Sequence, residues 1–198
     1  MNNNGRQAEL ERVTSETDIK LSLNLDGAGT ADVDSGVPFF DHMLISWALH
    51  SGCDLKLKAA GDLNVDDHHT VEDVGICLGS ALKTALGDKK GIRRYGEATV
   101  PMDESLVRTV VDLSGRPYLF FDLLIPTAKI GSFSSENVEE FFRALVNQAG
   151  MTVHVDLIRG RNAHHIVEAA FKSLARALRA AVSTDERAAG ILSAKGTL

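Results

Sequence analysis

The sequence predicts an α+β protein made of two tandem pseudo-symmetric repeats, each a small mixed β-sheet covered on one face by helices. Three observations predict it. The motif Asp67-His68-His69-Thr70-Val71-Glu72 returns as Ala163-His164-His165-Ile166-Val167-Glu168. In register with it, Leu78, Ala81, Leu82 and Ala85 match Leu174, Ala177, Leu178 and Ala181. Upstream of each copy stands an apolar segment at helical spacing, then a glycine, then an alternating strand, in the same order. Polar identities recur together with core ones, so helix amphipathicity alone does not explain the match. Neither half is comfortably large enough to stand by itself, and two halves sharing one core is the expected result.

The elements follow in order. Residues 1–9 read as a polar N-terminal tail. The first half-repeat, 10–92, contains a period-two strand in which Ile19, Leu21, Leu23 and Leu25 alternate with polar residues. Phe39-Phe40-Asp41-His42-Met43-Leu44 opens a helix; Gly52 follows, and Leu55-Lys56-Leu57 alternates as a strand. His68 then opens a second helix, with Val74, Leu78, Ala81, Leu82 and Ala85 on its apolar stripe. In the second half-repeat, 93–184, residues 104–115 parallel 16–27, and Asn137-Val138-Glu139-Glu140-Phe141-Phe142 parallels the segment at Phe39. Met151-Thr152-Val153-His154-Val155 is the strand, and His164 begins the last helix. Each unit therefore reads strand–strand–helix–strand–helix. Residues 185–198 form a C-terminal tail that contributes to the site. No Pro/Gly/Ser-rich linker parts the halves, so one compact domain is expected.

Composition narrows the function. The 198 residues carry a net charge of −6, and no Lys/Arg block forms a basic stripe, which argues against nucleic acid. No apolar run approaches the roughly 18 residues of a membrane span. The start, Met1-Asn2-Asn3-Asn4-Gly5, lacks a signal pattern, so a cytoplasmic location and no membrane partner are expected. Cys53 and Cys77 have no ligand spacing and read as small buried hydrophobes. His154 lies on the opposite strand face from Met151, Val153 and Val155 and reads as structural.

The paired HHxxE motifs carry the chemistry. On a helix, His69 and Glu72 are three apart and His68 and Glu72 four apart, so each histidine shares a face with the carboxylate. Adjacent histidines diverge by about 100°, so one metal does not easily take both. Two metals, each using one histidine of each pair, solve this at the seam between halves or between subunits. The repeat register aligns His42 with Glu140 and adds both to the candidates. The metal set is then His42, His68, His69, Glu72, Glu140, His164, His165 and Glu168: five imidazoles and three carboxylates. A nitrogen/oxygen set without thiolate suits Mn²⁺, Fe²⁺ or Zn²⁺, and three carboxylates favour Mn²⁺.

These motifs, with Phe39-Phe40-Asp41-His42-Met43-Leu44, Pro101-Met102-Asp103-Glu104-Ser105-Leu106 and Val111-Asp112-Leu113-Ser114-Gly115-Arg116-Pro117-Tyr118, resemble the imidazoleglycerol-phosphate dehydratases of histidine biosynthesis over nearly the whole chain. The resemblance implies a hydro-lyase with two manganese ions per active site. It also implies a homo-oligomer of 24 chains built from trimers, with sites between subunits and a small phosphorylated imidazole as substrate. The family's metal positions fall on the same eight residues. The grouping it implies is His42, His69, Glu72 and His164 on one ion, and His68, Glu140, His165 and Glu168 on the other. Its acid/base glutamate falls on Glu16; Glu72 and Glu168 count among the catalytic residues as well as the ligands. Phosphate binding falls on Arg94, Arg116, Ser193 and Lys195. Three departures stand out: Glu140 where some relatives carry histidine, Ile45-Ser46-Trp47 where an Asp-Gln pair is expected, and Ala194 in place of a hydroxyl residue.

The implied reaction loses water without redox change. The proton removed is not acidic, so the imidazole ring must act as electron reservoir, held as imidazolate by the two metals while a hydroxyl leaves. The diazafulvene-like species then loses a proton, giving an enol that becomes a ketone. Two other readings of the residues stay open at this level: a di-metal hydrolase acting on a phosphoester, and a non-catalytic metal-binding or assembly protein.

Overall fold

The computed structural model describes residues 5–185, 190–193 and Gly196. The first half runs β1 (Gln7–Val13), β2 (Thr17–Asn24), β3 (Ala31–Asp34), α1 (Pro38–Ser51), β4 (Asp54–Gly61) and α2 (His68–Leu86). The second runs β5 (Tyr95–Met102), β6 (Ser105–Asp112), β7 (Tyr118–Asp122), β8 (Lys129–Ile130), β9 (Phe133–Ser134), α3 (Asn137–Ala149), β10 (Thr152–Arg159) and α4 (Ala163–Val182). The two large sheets have the same topology, β1-β2-β4-β3 and β5-β6-β10-β7. In each, three strands pair antiparallel and the last pairs parallel.

Each large sheet thus holds one strand more than its half-repeat suggests, and the second half adds the two-stranded β8–β9 sheet. β3 is Ala-Asp-Val-Asp, with a single half-buried apolar side chain, and β7 is a short apolar run without alternation. β3 alternates over only four residues and β7 does not alternate, so neither gives a strong period-two signal of a half-buried strand. β1 also reaches back to Gln7, into the residues read as tail, because its backbone pairs with β2 from Gln7↔Asn24 onward.

The inner faces of the sheets are apolar for the reason the alternation suggests. Ile19, Leu21 and Leu23 on β2, and Leu55 and Leu57 on β4, are buried, while Lys20, Lys56 and Lys58 are exposed. The helices lie against these faces, and they exchange partners: α1 packs on α4, and α2 on α3. Each half therefore buries a helix stripe against the other, which explains why one core spans both. The rings of Phe40, Phe141 and Phe171 form its centre, with successive centroids 5.2 Å apart. The α2–α3 approach is especially close. A Cβ on Gly75 would lie 2.9 Å from the Phe141 carbonyl, and one on Gly79 2.6 Å from that of Leu145.

The starts of all four helices gather at one end of the molecule. Phe133 touches Phe39 and Phe40 at the start of α1, and the next residue, Ser134, donates its N–H to Asp67 just before α2. α3 follows directly, and His42 of α1 faces His164 of α4 at 6.0 Å between ring centroids. Carboxylates are electrostatically favoured in first turns; Glu140 stands in that of α3, while Glu72 and Glu168 lie one turn further along α2 and α4. His154 is exposed on the outer face of its sheet, flanked by the rings of Tyr118 and Phe120, away from this end. Cys53 and Cys77 are buried and unbridged. Among the described residues, no helix is long and apolar enough to cross a membrane.

Candidate metal centre and candidate phosphate-binding arginines

One set of ligands is assembled within the chain. His42 from α1 and His164 and Glu168 from α4 each offer a donor atom within 4.8 Å of the others. Glu168 Oε2 lies 3.1 Å from His164 Nε2 and 3.6 Å from His42 Nε2. Glu168 is nearly buried, and its other oxygen takes a 2.6 Å contact from Lys172, one turn on. Burial pushes its carboxyl up, but the Lys172 hydrogen bond, aided by His164 and His42, outweighs that and holds it below its ordinary value. It is a carboxylate, as a ligand must be. Two imidazole nitrogens and one carboxylate oxygen at this separation fit a divalent first-row cation.

The grouping differs from the one the family resemblance implies. Glu168 stands with His42 and His164 rather than in a set apart from them. The reason is helical: residues four apart share a face, so Glu168 must sit beside His164. The repeat places His68 and Glu72 together by the same rule, with Nε2 and Oε2 3.7 Å apart. Glu140 belongs with that pair by register, but it leans toward Arg143 at 3.8 Å.

The remaining histidines turn elsewhere. His69 presents Nε2 toward Glu16 at 3.9 Å and hydrogen-bonds Asp62 through Nδ1 at 3.1 Å. His165 presents Nε2 toward Asp103 at 3.7 Å and hydrogen-bonds Glu104 through Nδ1 at 2.7 Å. His68 Nδ1 lies 3.2 Å from Asn137 Oδ1. Asp62, Glu104 and Asn137 were not among the candidates read from the sequence. The repeat does align Glu104 with Glu16, and that correspondence is the signal that points to it.

The hydrogen bond from His165 comes first in holding the Glu104 carboxyl down at about 2, with the backbone N–H groups of Asn162 and Arg161 helping. Glu104 in turn raises His165, and Asp62 raises His69. A raised imidazole stabilises the fold fully below the ordinary value of 6.5, and that contribution is lost as pH rises through the folded value. A depressed carboxyl stabilises above its ordinary value of 4.5 and loses this as pH falls toward about 2. The His165–Glu104 pair therefore contributes most between those two ordinary values. Metal-free protein is expected to melt higher at about pH 5.5 than at about pH 8.5. The margin is small, because the pair is partly exposed. Thermal melts in EDTA check this: if Glu104→Gln leaves the margin intact, the pair is not its source.

The phosphate-binding candidates lie far from these ligands within one chain. Arg94 is buried, and its Nε and Nη2 donate to the Asp112 carboxylate at 2.7 and 3.1 Å. Its Nη1 donates to the Leu192 carbonyl at 2.6 Å, which draws the segment carrying Ser193 toward it. Arg116 extends into solvent with its side chain 71% exposed, 3.9 Å from the same Asp112. Lys195 lies outside the described residues. Arg94 donates its backbone N–H to Ala181 near the end of α4, whereas Glu168 sits near that helix's start. At 1.5 Å per residue, roughly 20 Å separate them. A single chain thus brings the arginines together with one another, but not with the imidazole–carboxylate sets.

Comparison with known proteins agrees with the motifs. The family model for imidazoleglycerol-phosphate dehydratase matches residues 35–178. A relative of that name from Desulforamulus reducens is 61% identical over 193 residues, covering 98% of each chain. One from Halorhodospira halophila is 59% identical over 194 residues, again covering 98% of each. The crystal structure of imidazoleglycerol-phosphate dehydratase from Staphylococcus aureus superposes with a TM-score of 0.83 at 44% identity, covering 90% of this chain and 99% of that one. The Pyrococcus furiosus structure, in complex with (S)-C348, gives 0.82 at 40% identity, covering 96% and 100%.

Proposed function

Because the chain belongs to the imidazoleglycerol-phosphate dehydratase family, we propose that it dehydrates imidazoleglycerol phosphate to imidazoleacetol phosphate through a di-manganese centre built between subunits of a homo-oligomer, 24 chains in all. The observation that carries the metal reading is the His42–His164–Glu168 set, whose donor atoms lie within 4.8 Å of one another. The other position falls to His68, Glu72 and Glu140, with Glu140 leaving an exposed contact to Arg143 that is worth at most about 1 kcal/mol. His69 and His165, whose Nε2 atoms face away from their own helix's set, complete the positions of neighbouring chains.

The roughly 20 Å between Arg94 and Glu168 supports the same assembly. A substrate held by its ring at one end and its phosphate at the other needs the two groups closer than one chain supplies. Arg94, with its guanidinium fixed by Asp112, gives a positioned charge. Arg116 is free to swing onto a phosphate and match its oxygens in a fork. Ser193 and Lys195 join them from the C-terminal segment.

Two manganese ions held by these residues would supply Lewis acidity, lowering the pKa of the substrate's imidazole so that its ring could serve as the electron reservoir. Glu16 does the proton work. It is half-exposed beside His69 Nε2, at the ligand end of the molecule, where it can take a proton from the adjacent carbon. One hydroxyl and one proton leave as water, and the resulting enol becomes the ketone with no redox change.

The test is direct. Purified protein with Mn²⁺ and imidazoleglycerol phosphate is expected to form an enolisable ketone without releasing phosphate. Free phosphate in place of the ketone would overturn the dehydratase reading in favour of a phosphoester hydrolase.

A further inference from the structure

The duplication makes Glu16 and Glu104 counterparts, and His69 and His165 counterparts. Symmetry would have each glutamate serve its histidine in the same way. It does not. Glu104 binds His165 at Nδ1, 2.7 Å away, and is itself held by the backbone N–H groups of Asn162 and Arg161. Glu16 approaches His69 from the opposite side, at Nε2, 3.9 Å away. The Nδ1 place is taken by Asp62, the residue following β4, with both carboxylate oxygens within 3.2 Å. Gly61 and Gly160 are counterparts: a Cβ on Gly61 would meet Thr70 and Thr17, and one on Gly160 would meet Ile166 and Ser105, the residues aligned with them. The next residue is therefore Asp62 in the first half and Arg161 in the second, a basic residue in place of the carboxylate, whose backbone N–H goes to Glu104.

We infer that Asp62 is a positioning residue that took over the orienting task Glu104 performs in the other half, and so released Glu16 for proton transfer. An imidazole whose Nδ1–H is given to a carboxylate keeps a fixed tautomer and ring angle, and offers a lone pair at Nε2. Asp62 and Glu104 thus set Nε2 of His69 and His165 as the ligating atoms from two unrelated places in the chain. The split explains why only one of two duplicated glutamates stands on the reacting side. Glu104 has its oxygens engaged by His165 Nδ1 and two backbone donors. Among the described residues, the Glu16 carboxylate is met by His69 Nε2 at 3.9 Å, and it is the backbone N–H of Glu16, not its carboxylate, that bonds Thr14.

This rests on the metal reading above, and the experiment separates the two. Metal-free full-length protein is titrated with Mn²⁺, and free Mn²⁺ is followed by electron paramagnetic resonance. Asp62→Ala is expected to weaken Mn²⁺ binding about 10–100-fold, the usual effect of removing a ligand-orienting partner. Asp62→Asn, whose amide oxygen still accepts from Nδ1–H, is expected to stay within about threefold of wild type. Circular dichroism of the metal-free variants shows whether both are folded. Unchanged affinity in a folded Asp62→Ala overturns the inference. So does an Asp62→Asn protein that loses as much as Asp62→Ala, since the orienting bond would then not be the cause. If Asp62→Ala does not fold, Asp62→Asn beside Asp62→Leu decides on the same criterion. Wild-type protein that binds no Mn²⁺ would instead sink the metal reading itself.

Discussion

Replacing His164 by alanine is expected to remove bound metal and turnover together. His164 belongs to the assembled set, within hydrogen-bonding reach of Glu168 and facing His42. Its loss leaves one imidazole and one carboxylate, and that carboxylate already has a cationic partner in Lys172 at 2.6 Å. Among the described residues of one chain, the remaining His42–Glu168 pair has no second nitrogen to replace the missing donor. Removing a group that merely orients a ligand weakens binding about 10–100-fold, so deleting the ligand is expected to exceed that range. Metal analysis after dialysis and the rate of ketone formation should fall in parallel. Full metal content with lost turnover would move His164 from ligand to some other role. The fold should survive, because His164 is only half-buried at the start of α4 while the stripe beneath it, Ile166, Val167, Ala170, Phe171 and Leu174, is buried.

Glu16→Gln is expected to do the opposite. The amide keeps the size and polarity of the side chain but has no carboxylate to accept a proton. Metal content should equal that of wild type, because Glu16 stands on the reacting side of His69 and is not needed to orient it; Asp62 does that. Turnover should fall about 10²–10⁴-fold, the range that a positioned acid or base contributes. The loss should appear in kcat more than in KM, since the phosphate grip lies elsewhere. Normal turnover in this variant would end the assignment of Glu16 to proton transfer.

The candidate metal ligands were legible because the motif that carries them is duplicated. HHxxE places its side chains by local helix geometry, which spacing alone determines, and the second copy in register lifts the motif above chance. His42 and Glu140 came from the same register. The grouping of Glu168 with His42 depends on which face of α4 meets α1, which is a matter of packing between halves. Asp62 and Asn137 were not legible for a related reason. A carboxylate or amide that orients a ring through space can come from any element, and Asn137 reaches His68 across the α2–α3 contact. Arg94 was legible as a cation, but its fixed pairing with Asp112 was not, because the two meet only when β5 pairs with β6.

By itself, the sequence determined the duplicated α+β architecture, the strand faces that turn inward, and the identities of the imidazoles and carboxylates at the helix starts. These depend on interactions within a few residues, where the 2.0 and 3.6 residue periods govern. The tertiary structure alone decided that each half lends a helix to the other, that β3 and β7 complete the sheets, and that the arginines lie about 20 Å from the ligands along α4. Those outcomes depend on contacts between segments far apart in the chain, and no local period encodes them.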